Sequence, residues 1–149
     1  MVSRLCPNCA LCCNGVLFAD VRLQPSDNAA RLAAVGVALK KRGAVLKFQQ
    51  PCSCLEGNRC RIYADRPQMC RTFECRLLQR AQAGEINVEA SLKVIRMAKR
   101  RAEVVREILR GLGDEDESTP LSRRYERMRN IITRAINGAS TRCMILRIA

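Results

Sequence analysis

Apolar positions recur through the second half of the chain at helical spacing. Val88, Leu92, Ile95, Ala98, Ala102, Val105 and Leu109 follow one another at steps of three and four, which puts them on one face and predicts a helix over 88–109. Leu121, Tyr125, Met128, Ile132 and Ile136 repeat the pattern and predict a last helix over 121–137. Between the two, residues 111–120 hold two glycines, a proline and the acidic run Asp114-Glu115-Asp116-Glu117, and read as a flexible linker.

The first half is patterned differently. Residues 16–23 alternate loosely and predict a strand. Pro25-Ser26-Asp27 offers a turn with an N-cap, and 28–42 reads as a helix stopped by Gly43. A second short strand is expected over 44–48, and 49–60 is loop-like, with Pro51, Gly57 and Asn58 among three cysteines. Asp65-Arg66-Pro67 is a helix opening, because proline suits the first turn and Asp65 can cap it, so a helix is expected over 67–82, ending at Gly84. The expected fold is α+β and mainly helical: a small cysteine-rich N-terminal half with short strands, packed with C-terminal helices. Its expected division is a cysteine-cluster metal-binding domain over 1–84 and a basic helical extension over 85–149, packed together as one structural unit.

Cysteine changes this picture most. The chain has ten cysteines in 149 residues; nine lie between Cys6 and Cys75, and Cys143 stands apart. Met1 is followed by no apolar signal region before Cys6, and the longest apolar run, 33–39, is too short to span a bilayer. The expectation is a cytoplasmic protein without a membrane segment. In a reducing compartment, clustered cysteines are ligands or redox groups more often than stable disulfides. There is no histidine, which excludes mixed Cys/His zinc sites and a histidine-based triad. No glycine-rich phosphate loop is present either. With only five aromatic residues (Phe18, Phe48, Phe73, Tyr63 and Tyr125), the core must be largely aliphatic.

Cys6, Cys9 and Cys12 stand at C-x-x-C-x-x-C, and Cys13 follows directly. Two residues between cysteines let one tight turn aim two sulfurs at one ion, a spacing common to zinc and iron–sulfur sites. The triplet matches the start of a bacterial ferredoxin run, but Val16 stands where that run needs its next cysteine. Cys13, adjacent to Cys12, is expected to point elsewhere, serving a different metal or bridging. Cys52, Cys54, Cys60, Cys70 and Cys75 make a second group whose spacings are not diagnostic alone. Nine thiols suffice for two four-cysteine sites with one left over. An all-sulfur shell favours zinc or iron–sulfur over magnesium, calcium or manganese. Three roles stay open for the group: inert or disulfide-bonded thiols, a structural metal, and a redox or catalytic centre.

Cys6-x-x-Cys9-x-x-Cys12-Cys13, followed later by Cys60-Arg61-Ile62-Tyr63-x-x-Arg66-Pro67-x-x-Cys70-Arg71-x-Phe73, resembles the YkgJ-type cysteine-cluster family of zinc- or iron-chelating domains. Cys52 three residues before Leu55, and the stretch 21–27 leading into a helix, are also similar. The resemblance covers about residues 6–75. It implies Cys6, Cys9, Cys12, Cys13, Cys52, Cys60 and Cys70 as metal ligands, with Cys75 as an eighth, and a zinc ion or iron–sulfur cluster as the cofactor. Cys54 and Cys143 are extra to the pattern. Ala10 and Leu11 stand where glycine is common in the family, which bears on the turn and not on the ligands. Members are often labelled iron–sulfur oxidoreductases, and similar domains occur in flagellin lysine methylases, so the resemblance also implies an alternative reading as a cluster-dependent enzyme. Arg71, one residue after a ligand, is expected to neutralise thiolate charge or hydrogen-bond sulfur, with Arg66 in a similar supporting role or simply opening a helix. Tyr63 is expected to be a packed aromatic.

Net charge is +13. Residues 1–75 hold 11 basic and 5 acidic side chains, an excess that ligating thiolates would balance; residues 76–149 hold 16 and 9, with no such cluster. Lys93, Arg96, Lys99, Arg100, Arg106 and Arg110 occupy the polar side of the 88–110 helix. A docking face for an acidic protein or nucleic acid is therefore a further alternative, beside a plain solvated cover. The absence of aromatics among these arginines weighs against single-strand stacking.

Overall fold

The computed structural model describes residues 4–145, with side chains through residue 137. Its elements are α1 (Leu5–Cys9), β1 (Asp20–Arg22), α2 (Ala29–Ala34), β2 (Leu39–Arg42), β3 (Val45–Gln49), β4 (Leu55–Glu56), β5 (Arg59–Cys60), a 3₁₀ turn (Tyr63–Asp65), α3 (Gln68–Thr72), α4 (Arg76–Gln82), α5 (Val88–Gly111) and α6 (Leu121–Ile145). Short antiparallel strands fill the first half and helices the second, which is the expected α+β, mainly helical class.

β3 lies between β1 and β2, antiparallel to both, with Phe48 opposite Val21 on one side and Leu39 on the other. Phe48 is buried and packs with Leu32, Val37, Cys54 and Ile62. Cys52, Cys60 and Cys70 pack against this same cluster, so the thiols border the core rather than sit apart from it.

Several elements differ from the sequence expectation. The helix expected over 28–42 is only α2, capped by Asn28, whose Oδ1 accepts from the Arg31 amide at 2.9 Å. Gly36 takes a left-handed conformation at φ 92° and closes it; a side chain there would meet the Arg61 guanidinium at 3.0 Å. Residues 39–42 then turn into β2, whose Lys40, Lys41 and Arg42 face solvent, a charged edge that resists pairing with another sheet. Gly43 closes the β2–β3 hairpin instead of a helix. The strand expected over 16–23 contracts to β1, and the loop over 49–60 contains the β4–β5 hairpin, in which Leu55 faces Cys60 across a turn with Gly57 at φ 59°.

The helix expected over 67–82 is two helices. Phe73 and Cys75 are extended between them, which lets the Phe73 ring meet Phe18 edge to face at 4.9 Å. Asp65 does not cap α3. It pairs with Arg31 at 2.6 Å, and the Gln68 amide is taken by Asp27 Oδ1 at 2.7 Å, from across the chain.

α5 buries Ser91, Ile95, Ala102 and Leu109, and its N-cap is Asn87, accepting from the Ala90 amide at 2.8 Å. Ala102, Leu109 and Leu121 form a second apolar cluster with Val16, Val105 and Met128 against it. Apart from Leu121 and Met128, the apolar stripe of α6 is uncovered among the described residues: Tyr125, Ile132 and Ile136 are exposed. The linker expected to be flexible is packed, since Asp114 is buried and bonded to α6. The helices reach back to the first half. The Leu121 amide donates to Gly15 O at 2.9 Å, Arg123 pairs with Asp20 at 2.6 Å, and Lys99 Nζ donates to Asn8 O and Asn58 Oδ1 at 3.3 and 3.0 Å. Among the described residues no helix is long and apolar enough to cross a membrane.

Candidate metal centre

The first four cysteines share two consecutive turns. α1 is five residues long and anchored by buried Leu5. Its end is set by Ala10, which sits at φ 56° with its amide donating to Cys6 O at 3.2 Å. Ala10 O then accepts from the amides of Cys13 and Asn14 at 2.8 and 3.0 Å. The left-handed region favours glycine, and this chain carries alanine there. Cys6 and Cys9 lie three apart on α1, on one face; Cys12 and Cys13 occupy the turn after it.

The second group is brought to the first by the backbone. The Cys52 amide donates to Cys13 O at 2.8 Å. Cys60 follows on β5, Cys70 lies within α3, and Cys75 is the N-cap position of α4. Cys54 has turned inward: it is fully buried, its Sγ is 3.6 Å from Val35 O, and the Arg61 guanidinium lies 3.8 Å from the sulfur. It belongs to the core, consistent with its being extra to the ligand pattern. The Cys143 side chain lies outside the described residues. None of the nine described cysteines is in a disulfide.

Electrostatic coupling tracks this layout. Burial pushes the Cys12 thiol up to about 12, reinforced by the charges of Cys13, Cys9, Cys75 and Cys6. Burial also raises Cys6 and Cys9, with Cys75 adding to both. Cys70 is pushed up to about 12 by burial and then by Cys13, Cys52 and Cys60. Cys52 rises to about 11 by burial, with Cys54, Cys13 and Cys60 adding to it against a backbone hydrogen bond from Cys54. Burial raises Cys13, and Cys60 adds most among its neighbours. Thiols crowded in this way resist ionising together unless a cation joins them.

Of the two arginines singled out by sequence, Arg66 stands among the thiols. Its charge lowers Cys6, Cys13, Cys60 and Cys70, while its guanidinium lies 3.6 Å over the Tyr63 ring and donates to Tyr63 O at 2.9 Å. Arg71 is exposed and its guanidinium makes no hydrogen bond or ion pair among the described residues. Two contributors were not visible in the sequence. Lys99 reaches α1 from a position 91 residues away, and its charge lowers Cys9. Arg61 was visible only as a neighbour of Cys60, yet it serves Cys54.

Cys6, Cys12, Cys13, Cys60 and Cys70 line one cavity of about 710 Å³. Among the described residues, no three cysteine, aspartate or glutamate side chains stand together as a ready metal shell. The donor chemistry nevertheless fits a thiophilic metal: eight half-buried or exposed thiols, no imidazole, and an ionised state that only added positive charge would relieve.

The class this defines is a small α+β domain with five of its cysteines lining one cavity beside a helical cover. The CxxCxxCC family model, described as "Putative zinc- or iron-chelating domain", matches residues 5–94, and the chain belongs to this family of metal-binding domains. No curated protein and no solved structure gives a match.

Proposed function

We propose that the chain binds zinc or an iron–sulfur cluster through two sets of four thiolates, Cys6, Cys9, Cys12 and Cys75 in one and Cys13, Cys52, Cys60 and Cys70 in the other. The observation that carries the division is the backbone link from Cys13 O to the Cys52 amide. It draws Cys13 toward the second group while Cys12, one residue earlier, stays with α1. Cys75 acts on Cys6, Cys9 and Cys12, and Cys60 on Cys13, Cys52 and Cys70, while the two sets also repel each other where they meet, through Cys13 on Cys12 and through Cys6 and Cys9 on Cys13. Arg66, placed among four of these sulfurs, would offset the charge of thiolates that a divalent ion neutralises only in part. A bound zinc would supply folding free energy, and a bound cluster would supply one-electron chemistry.

A docking role for α5 would rest on Lys93, Arg96 and Arg100, which are exposed and unpaired among the described residues. Lys99 is engaged with α1, and Arg106 and Arg110 pair with Glu103 and Glu117.

Anaerobic purification followed by an absorption spectrum and metal analysis tests the main reading. Two equivalents of zinc, or iron with acid-labile sulfide, are expected. Protein that takes up neither after reconstitution would refute it.

A further inference from the structure

Gln50 is 2% exposed, and its side-chain Oε1 is buried without a hydrogen-bond partner. Its backbone amide is engaged with Ala19 O at 3.0 Å, so the residue is held in place while its carboxamide is not satisfied. A buried amide acceptor left unpaired is destabilising, and such groups call for an explanation. Gln50 lines the same cavity as the five cysteines.

That cavity extends well beyond the sulfurs. Its volume of about 710 Å³ falls within the range of roughly 300–1,000 Å³ typical of organic-ligand sites. Phe18, Met69 and Phe73 contribute to its wall, and none of them can ligate a thiophilic metal through nitrogen or thiolate. Met69 and Phe73 are large apolar side chains left 45% and 41% exposed. Arg22 and Arg59 also line it; both are exposed, and neither guanidinium makes a hydrogen bond or ion pair among the described residues. Asp20, which also lines the cavity, is already paired with Lys47 and Arg123, and Glu56, opposite Arg59 across the β4–β5 hairpin, with Arg61.

We propose that this cavity is a binding site for a small organic acid with an aromatic or aliphatic body. The body packs on Phe18, Met69 and Phe73, an N–H or O–H donor meets the Gln50 carboxamide, and the carboxylate or other anion meets Arg22 or Arg59. Apolar walls give the area, and one placed polar group gives the orientation. Cationic rims with no internal partner give the preference for an acid. The inference goes beyond metal binding and does not depend on it, although a ligand held here would lie against Cys12, Cys13 and Cys60.

The test uses the purified, metal-loaded chain and 1-anilinonaphthalene-8-sulfonate, which combines an aromatic body, an N–H and an anion. Dye fluorescence is expected to saturate at one equivalent and to be displaced by indole-3-acetate far better than by tryptamine. Gln50→Leu is expected to weaken binding roughly tenfold, the loss of one buried hydrogen bond. Met69→Ala and Arg59→Glu, both at exposed positions, are expected to weaken it roughly fivefold or more while circular dichroism stays unchanged. These two decide the matter should Gln50→Leu fail to fold. Non-saturating fluorescence, equal displacement by the acid and the amine, or binding indifferent to Met69→Ala and Arg59→Glu would overturn the site. Metal retained with no displaceable dye overturns this inference alone; displaceable dye in protein that takes up no metal overturns the metal reading alone.

Discussion

Arg124 and Asp114, ten residues apart, are held together out of solvent, with side-chain exposures of 1% and 2%. Arg124 Nε donates to Asp114 Oδ1 at 3.2 Å and Nη2 to Asp114 O at 2.7 Å, while Nη1 reaches Glu117 at 2.8 Å. Arg127 donates to the second Asp114 oxygen at 2.7 Å. This network ties the 111–120 connection to the start of α6.

Truncating Arg124 leaves a buried carboxylate with only Arg127 and the Asp116 amide to answer it. Arg124→Ala is expected to cost about 2–4 kcal/mol, read as a lower midpoint in urea. Arg124→Lys is expected to recover little, because one ammonium cannot reproduce three directed bonds. A stability within 0.5 kcal/mol of the native chain, on the order of an ordinary surface change, would show the network to be incidental.

Acid should weaken the same link. Burial alone would raise the Asp114 carboxyl, but hydrogen bonds from Arg127 and the Asp116 amide, with the charges of Arg127 and Arg124, hold it below its ordinary value. A depressed carboxyl contributes stability that is present above its unfolded value, about 3.9, and is lost as pH falls through the folded one. Asp20, lowered first by its hydrogen bond from Lys47, acts in the same direction. The melting temperature of Asp114→Asn is therefore expected to sit below that of the native chain at neutral pH, with the gap closing below about pH 4. Taking the difference between the two proteins removes any acid release of metal they share. A gap that widens in acid would reverse the sign assigned here.

The cysteines should rank by set. Serine at Cys9, Cys12 or Cys75 is expected to remove one centre, and serine at Cys13, Cys60 or Cys70 the other, each halving the metal content. Cys54→Ala is expected to keep the full content and lose about 1 kcal/mol of stability from its buried contacts. Cys143→Ser should change neither. Metal analysis of the eight-thiolate series decides it: a uniform loss of all metal from any single substitution would mean one shared centre.

Chelation should reach the first half before the second. Structural thiolate sites contribute on the order of 10–16 kcal/mol of apparent free energy in small peptides, and the candidate ligands Cys6, Cys9 and Cys60 lie on α1 and β5. Hydrogen exchange after chelation is expected to quicken over α1 and β4–β5 while α5 remains protected. An unchanged exchange map and melting curve would refute coupling between metal and fold.

The long helices were legible because their apolar stripes recur over many turns; Ile95, Ala102 and Leu109 are buried as spacing required. The cysteine blocks were legible because ligand spacing is written locally. What was not legible depends on partners distant in sequence. Gly36 ends α2 early, and only the fold shows Arg61 lying against it. The break at Phe73 is accounted for by Phe18, 55 positions earlier. Asp27 caps a helix 41 residues away, so the capping signal was present while its target was not. Gln50 carried no signal at all, since an unpaired amide exists only once its surroundings are built.

The bond from the Leu121 amide to Gly15 O has a bearing on how the chain is made. Synthesis runs from the N-terminus at roughly 5–20 residues per second, so the residues between Cys75 and Leu121 take a few seconds to add. Through that interval the nine clustered thiols exist without the helix that clasps the turn holding Cys12 and Cys13. The nascent chain thus presents its sulfurs before the bond from its last helix fixes the end of that turn.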